Sequence, residues 1–415
     1  MSRIAVVGSG IAGLGAAWLL SRVHEVVLFE SGDYLGGHTH THEVVVDGAN
    51  VAVDSGFIVF NPMHYPLLTA MFEALGVATQ PTTMGFSVQD QGSGLEYSAG
   101  TLRGLLAQPG NMVKPGFWRM LADLRRFYRE APAVMEAGDE NLTLGRYLEL
   151  HRYSSEFRDL HIVPMASALW SSPSARILEF PVLQLVRFMH NHDMLQVSGR
   201  PQWRVVRGGS QRYVDALSAS WKVDARLRTA VASIRRKPAG VQVTTAGGIE
   251  DFDQVVLACH ADDALGLLAD ATPLESAILG AISYQHNDAV LHTDARVMPV
   301  RSSAWAAWNA YVPHAPGAPC SVSYWMNALQ GLQSSRPLLV TLNRNSDIDP
   351  GQVLKRMRYR HPHQTAASVA ARKRKAEIQG LQGTWFAGAG WGFGFHEDGL
   401  RSGVDVANAL GVQWP

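Results

Sequence analysis

A short apolar run, residues 4–7, feeds directly into Gly8-Ser9-Gly10-Ile11-Ala12-Gly13 and then into a helix through Leu14, Ala16, Leu19 and Leu20. That order leaves the chain few folds to choose from. The run suits a parallel strand buried on both faces. Each glycine has its own task. Gly8 permits the sharp turn, Gly10 lets backbone approach a pyrophosphate, and Gly13 lets helix and strand pack closely. The helix start offers unpaired N–H groups and a partial positive charge to the same anion. A second strand, residues 25–29, ends at Glu30, 22 residues after Gly8. A carboxylate there can accept hydrogen bonds from an adenosine ribose and repels a 2′-phosphate. These residues predict a dinucleotide site: Gly8, Ser9, Gly10, Ile11, Ala12 and Gly13 at the phosphates, Glu30 and Ser31 at the ribose. The plainer alternative, a glycine-rich turn, leaves the strand, the helix and the acid unexplained.

The 415 residues exceed one compact core and fit two domains, or one large α/β unit with an inserted lobe. Lys+Arg and Asp+Glu number 36 each, so nothing favours a polyanion and nucleic acid is not expected as a partner. Cys259 and Cys320 make no disulfide framework and have no metal-type spacing, which points to a reducing, cytoplasmic setting. The first residues run straight into a strand and do not read as a signal peptide. No window approaches about 18 unbroken apolar residues, so no spanning helix is expected.

Beyond the second strand, Gly36-Gly37-His38 resembles the Gly-Gly-Arg signature of the flavin amine oxidase and phytoene desaturase superfamily, with His38 where that family usually has Arg. Val53-Asp54-Ser55-Gly56-Phe57 resembles its next landmark, an Asp-x-Gly after a strand. At the far end, residues 384–390 read as a last strand and turn. Glu397-Asp398-Gly399-Leu400, with Gly403, opens the helix that in this superfamily points its N-terminus at the isoalloxazine and stabilises negative charge there. Gly388-Ala389 stands where Gly-Glu is common. Residues 206–210 and the helix after them look like the return to the cofactor domain, and in the family the backbone near Val231 reaches the adenine.

The resemblance implies FAD, held by the residues already named together with Gly36, Gly37, His38, Asp54, Ser55, Gly56, Phe57, Val231, Gly388, Ala389, Glu397, Asp398, Gly399 and Leu400. It implies an α/β fold: a Rossmann-type FAD-binding domain of residues 1–56, 205–270 and 380–415, interleaved with an α+β substrate-binding domain of residues 57–204 and 271–379. Residues 38–41, 54–61 and 394–403 look closer still to one bacterial branch, whose genes often neighbour cyclopropane fatty acid synthase-type methyltransferases. That closeness implies a flavoenzyme acting on fatty acyl chains, with a fatty-acid methyltransferase as partner.

Without the family, residues 57–204 read as mostly helical, with helices at 66–75, 117–136, 144–150 and 181–189. Residues 271–379 mix strands at 289–293, 321–326 and 338–343 with a helix at 366–378. A sheet under helices would suit an apolar substrate chamber, although composition does not separate chamber from core. Phe117, Trp118, Arg119, Arg125, Arg126, Phe127, Tyr128 and Arg129 form a basic, aromatic helix. Peripheral contact with the inner membrane surface competes there with an ordinary solvated face, and the solvated face is favoured.

His38, His40 and His42 alternate, and on a strand they would share one face. A polar role near FAD is favoured over zinc, because no cysteine or carboxylate joins the set, so no metal is expected. His396 lies two residues before Asp398, where by resemblance amine oxidases carry a Tyr or Trp. It is the candidate catalytic base, the alternative being a hydrogen-bonded partner of the flavin or of Glu397. By resemblance many amine oxidases have a water-bridging Lys near the flavin. The six lysines here lie outside the flavin-facing motifs, which weakens plain amine oxidation. The expected activity is FAD-dependent desaturation of a fatty acyl or methyl-branched acyl lipid. A flavin-dependent isomerase or amine oxidase comes second, and a non-catalytic flavin- or lipid-binding partner of a methyltransferase third.

Overall fold

The computed structural model describes residues 1–170, 174–196, 199–315 and 320–414. Its first sheet has five parallel strands in the order Thr384–Phe386, Gln254–Leu257, Arg3–Val7, Glu25–Phe29, Val223–Arg226. The apolar run at the N-terminus takes the central place, and Ile4, Ala5 and Val6 are completely buried. Such a strand must be apolar on both faces, as this one is.

The first helix, Ile11–Leu20, is buried along its whole length. A helix without a polar face needs cover on every side. Much of that cover is the last helix, His396–Ala409, and the two approach closely because small residues face each other. A Cβ on Gly403 would lie 2.2 Å from the Ala12 carbonyl oxygen, and one on Gly15 would lie 2.5 Å from Leu400 Cδ1. The two chain ends therefore share one apolar core, which includes Leu14, Leu19, Leu400, Val404 and Ala407.

A seven-stranded sheet stands apart from the first. Its order is Val353–Pro362, Tyr284–His292, Leu339–Leu342, Ser321–Trp325, Trp308–Val312, Phe86–Asp90, Glu96–Ser98. All neighbours are antiparallel except Trp308–Val312 beside Phe86–Asp90. The last two strands correct the helical reading of residues 57–204. They are short, and residues 86–90 alternate too briefly to declare a strand without their long-range partner. Thr79–Thr82 is a further strand in that stretch, paired with Trp203–Val206. Helices Pro66–Ala74, Leu144–Leu150 and Val182–Asn191 lie where the periodicity predicts. The predicted helix 117–136 is instead Pro115–Glu130 followed by Ala133–Ala137. Pro132 explains the break: it has no N–H to continue the ladder, and its ring crowds the preceding turn. The predicted helix 366–378 stops at Lys373 and tightens into a 3₁₀ turn, Lys375–Glu377.

Candidate cofactor and active site

The carboxyl ends of the parallel strands bring Gly8, Glu30, His260 and Gly388 to one edge of the sheet, the edge at which open α/β sheets bind ligands. Gly8 has φ +98° and donates its N–H to the Phe29 carbonyl at 2.9 Å. A Cβ on Gly13 would lie 1.9 Å from the Gly8 carbonyl oxygen, so this pair must be glycine. Around Gly10 the opposite holds: a Cβ there would meet nothing within 4 Å. Gly10 caps the first helix with no side-chain bond, which leaves the opening N–H groups of Ile11 and Ala12 available. The Gly36–Gly37 loop closes over this turn. Gly36 donates to the Ser9 carbonyl at 3.0 Å, and a Cβ on Gly37 would lie 3.0 Å from Gly10 Cα.

Glu30 organises the edge next to it. One carboxylate oxygen accepts the Ser9 N–H (2.9 Å) and Oγ–H (2.6 Å), and the other accepts the Gly32 N–H (2.7 Å). Ser31 Oγ approaches it at 3.3 Å. The carbonyls of Glu30 and Gly32 accept the N–H groups of Thr229 and Arg228, both at 2.8 Å, so the segment entering Val231 lies against this acid. A carboxylate has about four lone-pair sites, so capacity remains for ribose hydroxyls. Glu30→Ala removes a charged acceptor from two backbone donors, a loss of about 1.5–3 kcal/mol per bond to a charged group. Its expected result is a lower melting temperature together with FAD retention weakened roughly tenfold or more. FAD titration by flavin fluorescence checks this, and wild-type affinity in Glu30→Ala would rule out the ribose contact.

His38 follows the two glycines. Its Nε2 is buried and has no protein partner. Burial, with His361, His260 and His396 nearby, holds the ring well below the usual histidine range. The ring lies 5.0 Å from Tyr359, 5.4 Å from His361 and 6.1 Å from His260, centroid to centroid. His38 therefore does not share a face with His40 and His42. The strand begins only at Thr41, so alternation does not extend back to His38. His40 stacks between Tyr34 and His42, and His42 Nε2 bonds Ser55 Oγ at 2.8 Å. Among the described residues one group, His260 with Asp262 and Asp263, has the spacing to hold a metal ion. Both of its acids ion-pair with Arg360, which gives the group a structural explanation.

An uncapped helix start, open space at Gly10, an acid at the next strand end and an orphaned buried imidazole together fit a dinucleotide. The residues present would hold one here.

Asp54 is fully buried and its two oxygens gather Thr41 Oγ1, the Ser210 N–H and Oγ–H, and Gln330 Nε2. Burial pushes its pKa up to about 6, and the donors from Thr41 and Ser210 pull it back down. Its side chain ties three segments together and is spent on protein. Ser55 Oγ meets His42 Nε2 and Tyr359 Oη. Gly56 passes so close to His38 that a Cβ would lie 2.1 Å from the His38 carbonyl oxygen. Phe57 then stacks on His396, with centroids 3.7 Å apart and planes 14° apart.

The far end closes the site. Gly388 has φ +147°, and Ser402 Oγ accepts its N–H at 3.1 Å. Ala389 packs near Gly399, whose own Cβ would lie 2.6 Å from Ile11 Cγ2. Glu397 accepts the Leu67 and Leu68 N–H groups (3.1 and 3.0 Å), at the start of helix Pro66–Ala74, and pairs with Arg401. Asp398 accepts the Phe395 N–H at 3.0 Å, and burial raises its pKa to about 6. Both carboxylates are taken, so what this helix start can offer a ligand is its own N–H groups. Leu400 is completely buried between the two end helices.

His396 stands at that start. Its Nε2 lies 2.9 Å from Thr39 Oγ1 and 3.1 Å from Tyr213 Oη, and burial lowers its pKa to about 3. The imidazole is therefore neutral at any ordinary pH. Thr39, Tyr213 and His260 are the members that sequence reasoning missed. His260 was the findable one, since it follows the apolar run of residues 255–258 at the ligand-binding end. Tyr213 gave no signal, because on a helix it reads as an apolar face residue. One correction concerns lysine. Lys375 is distant in sequence, yet its Nζ donates to Ser402 Oγ at 3.1 Å and lies 5.7 Å from the Trp391 ring. A cleft of about 560 Å³ lined by Arg236, Lys237, Gly240, Gln254 and Gly383 has no part in this site: Gln254 and Gly383 mark the opposite ends of their strands.

Among known proteins, the profile of the family "flavin containing amine oxidoreductase" matches residues 11–296. A Mycobacterium tuberculosis protein named for flavin-containing monoamine oxidase activity is 30% identical over 265 residues, covering 61% of this chain. This chain spans 56% of that relative's length. Two solved structures cover 99% of the chain and 98% of their own at 17% identity: cyclohexylamine oxidase from Brevibacterium oxydans, TM-score 0.69, and a conjugated-linoleic-acid-producing fatty acid isomerase from P. acnes, TM-score 0.66. At that identity the likeness speaks for the fold, which is mixed α/β with a parallel cofactor sheet. No described helix is long and apolar enough to cross a membrane. The profile covers well over half of the residues, and the cofactor turn, the glycine loop and the helix pair agree with it: the chain belongs to the flavin-containing amine oxidoreductase family, whose cofactor is FAD.

Proposed function

We propose that this flavoprotein desaturates an acyl chain, taking a hydride and a proton from neighbouring carbons of a fatty acyl or methyl-branched acyl lipid. The observation that carries the reading is the wall around the start of the last helix. Phe395 stacks on Phe188 at 4.8 Å, Phe393 meets the same ring at 5.7 Å, and Trp170 packs on Phe188 and Phe180. The acids in this wall are already engaged: Glu397 and Asp398 by backbone, Asp193 by His64 at 3.3 Å. Phe188, Trp170 and Phe180 are core, and the half-buried Phe393 and Phe395 packed on them offer a surface that suits a hydrocarbon better than a polar amine.

When bound, FAD supplies a two-electron acceptor for the hydride. The phosphates would rest on Gly10, Ile11, Ala12 and His38, the ribose on Glu30, and the ring end on the N–H groups of the last helix. His396 is the base of this reading. Thr39 and Tyr213 fix its Nε2, and the Phe57 stack fixes its plane, which leaves Nδ1 to take the proton. With a pKa near 3 the imidazole is in its base form throughout, so no inflection from His396 should appear in the rate above about pH 4.

His396→Ala should keep FAD and slow anaerobic flavin bleaching by roughly 10²–10⁴. An unchanged rate would remove His396 from this role. Substrate class is read in the same experiment with wild-type protein and lipids carrying monounsaturated or methyl-branched chains. Bleaching with loss of two hydrogens by mass spectrometry supports the proposal. A shifted double bond at unchanged mass would indicate an isomerase. Bleaching by amines alone would indicate an amine oxidase, the reading that the relative's name and the approach of Lys375 favour. A methyltransferase partner is proposed on the branch resemblance and would show as co-purification.

A further inference from the structure

Five large apolar side chains are exposed beside Glu96–Ser98, the end strand of the seven-stranded sheet. Leu102 is 73% exposed, Met112 52%, Val113 83%, Trp118 51% and Val300 84%. They belong to separate segments pinned side by side by one buried acid, Glu96. Its carboxylate accepts the N–H groups of Val300 and Arg301 (2.7 and 3.1 Å). Its backbone bonds Gln108 Oε1 (3.0 Å) and Asn111 Nδ2 (3.2 Å). Trp118 Nε1 donates to the Met112 carbonyl at 2.7 Å, which locks the indole beside the Met112–Val113 turn. The tips are thus held on a built support.

Cations outnumber acids on this face. Between Glu96 and Asp123 the chain has no acid, while Arg103, Lys114 and Arg119 all lie there. Arg301 joins them from the neighbouring segment and pairs with the buried Glu96. Arg119 pairs with Glu156 from the segment Ser155–Phe157, which leaves Arg103 and Lys114 as the open cations of this face among the described residues. Exposed apolar tips ringed by cations, with a tryptophan at their border, match the chemistry of an anionic bilayer surface.

We propose that this face docks the protein onto membranes containing anionic phospholipid, with Leu102, Val113 and Val300 entering the interface and Arg103 and Lys114 meeting the headgroups. On the basic, aromatic helix, where the sequence favours a solvated face over membrane contact, Phe117 and Phe127 face the core. The docking surface is instead the turn before that helix, its first turn and the Val300 segment. This inference goes beyond the acyl reading, since the face would bind a bilayer whatever the substrate.

The test uses the full-length, FAD-loaded protein and vesicle flotation. Wild type should float with vesicles one-third phosphatidylglycerol at about 0.1 M salt, and much less at about 1 M salt or with phosphatidylcholine alone. Leu102→Glu, Val113→Glu and Val300→Glu combined should cut binding roughly tenfold or more while keeping the flavin spectrum and melting temperature, because all three side chains are exposed. Arg103→Gln with Lys114→Gln should remove most of the salt-dependent part. Binding by the triple variant equal to wild type would overturn the proposal. So would failure of wild type to float with anionic vesicles, or a wild-type dimer that the triple variant dissolves, which would make a second copy the occupant.

Discussion

Gly403→Ala is expected to cost this protein its cofactor, although Gly403 lies on the last helix, beyond the first turn where a ligand could meet it. The added methyl would sit 2.2 Å from the Ala12 carbonyl oxygen and 3.2 Å from the Ala16 nitrogen. Both atoms are backbone, so no side chain can swing aside. The last helix must move away from the first, opening a seam between residues that are now fully buried, among them Leu14, Leu400 and Ala407. Overpacking a tight contact costs about 1–3 kcal/mol, and this one also withdraws apolar surface along the whole helix pair. For a chain of this size, at about 1 °C per kcal/mol, the melting temperature should fall by roughly 2–4 °C. The larger effect is on FAD. The first helix presents its N–H groups to the phosphates and the last presents its own to the ring, so separating them spoils both grips at once. Asp405→Ala, an exposed change two residues on, should alter neither property. Purified Gly403→Ala that stays yellow through gel filtration and melts with wild type would show that the helix contact is not what aligns the two halves of the site.

That contact was legible in the sequence only as two separate patterns. Ala12 and Gly403 each looked like part of a local motif, and nothing local says that residues 391 positions apart meet. The parallel sheet was readable because its strands are apolar runs with turn glycines behind them, a signal that needs no partner. Residues 86–90 and 96–98 are strands chiefly because residues 308–312 lie beside them, and short segments take their structure from such neighbours. The same division holds within the site. Gly8, Gly10, Glu30 and Gly36 could be found by spacing. Glu397 looked free at a helix start, whereas it caps a different helix 330 residues earlier in the chain. His38, His260 and His361 come from separate segments, and their gathering is a property of the fold alone.

Acid should unfold this protein well above the pH at which carboxylates titrate. His42, His161 and His292 are 8%, 3% and 0% exposed, and burial lowers each pKa to about 4. An unfolded histidine titrates near 6.5. The native pKa is the lower one, so below pH 6.5 the unfolded chain binds more protons than the folded one. Stability from these groups is complete above that pH and drains away as pH falls toward 4. At pH 5 each group forfeits up to about 2 kcal/mol, against a total stability of about 5–15 kcal/mol. His192, His361 and His396 shift the same way. Asp54, Asp398 and Glu397 oppose them, since burial raises all three, the first two to about 6, and the folded state gains protons there. Three acids, each held by hydrogen-bond donors that favour the charged form, do not balance six imidazoles. The melting temperature should therefore drop by several degrees, up to about 10 °C, between pH 7.5 and pH 5. His292 gives the sharpest check: its Nδ1 accepts the Asp294 N–H at 3.1 Å and its Nε2 bonds Thr341 Oγ1 at 2.8 Å, so only the neutral ring serves both partners. His292→Asn should lower stability at pH 7.5 yet flatten the acid slope, because the amide has no proton to gain. A melting temperature that stays level from pH 7.5 to 5, or an equally steep slope in His292→Asn, would mean that these rings do not set the acid limit.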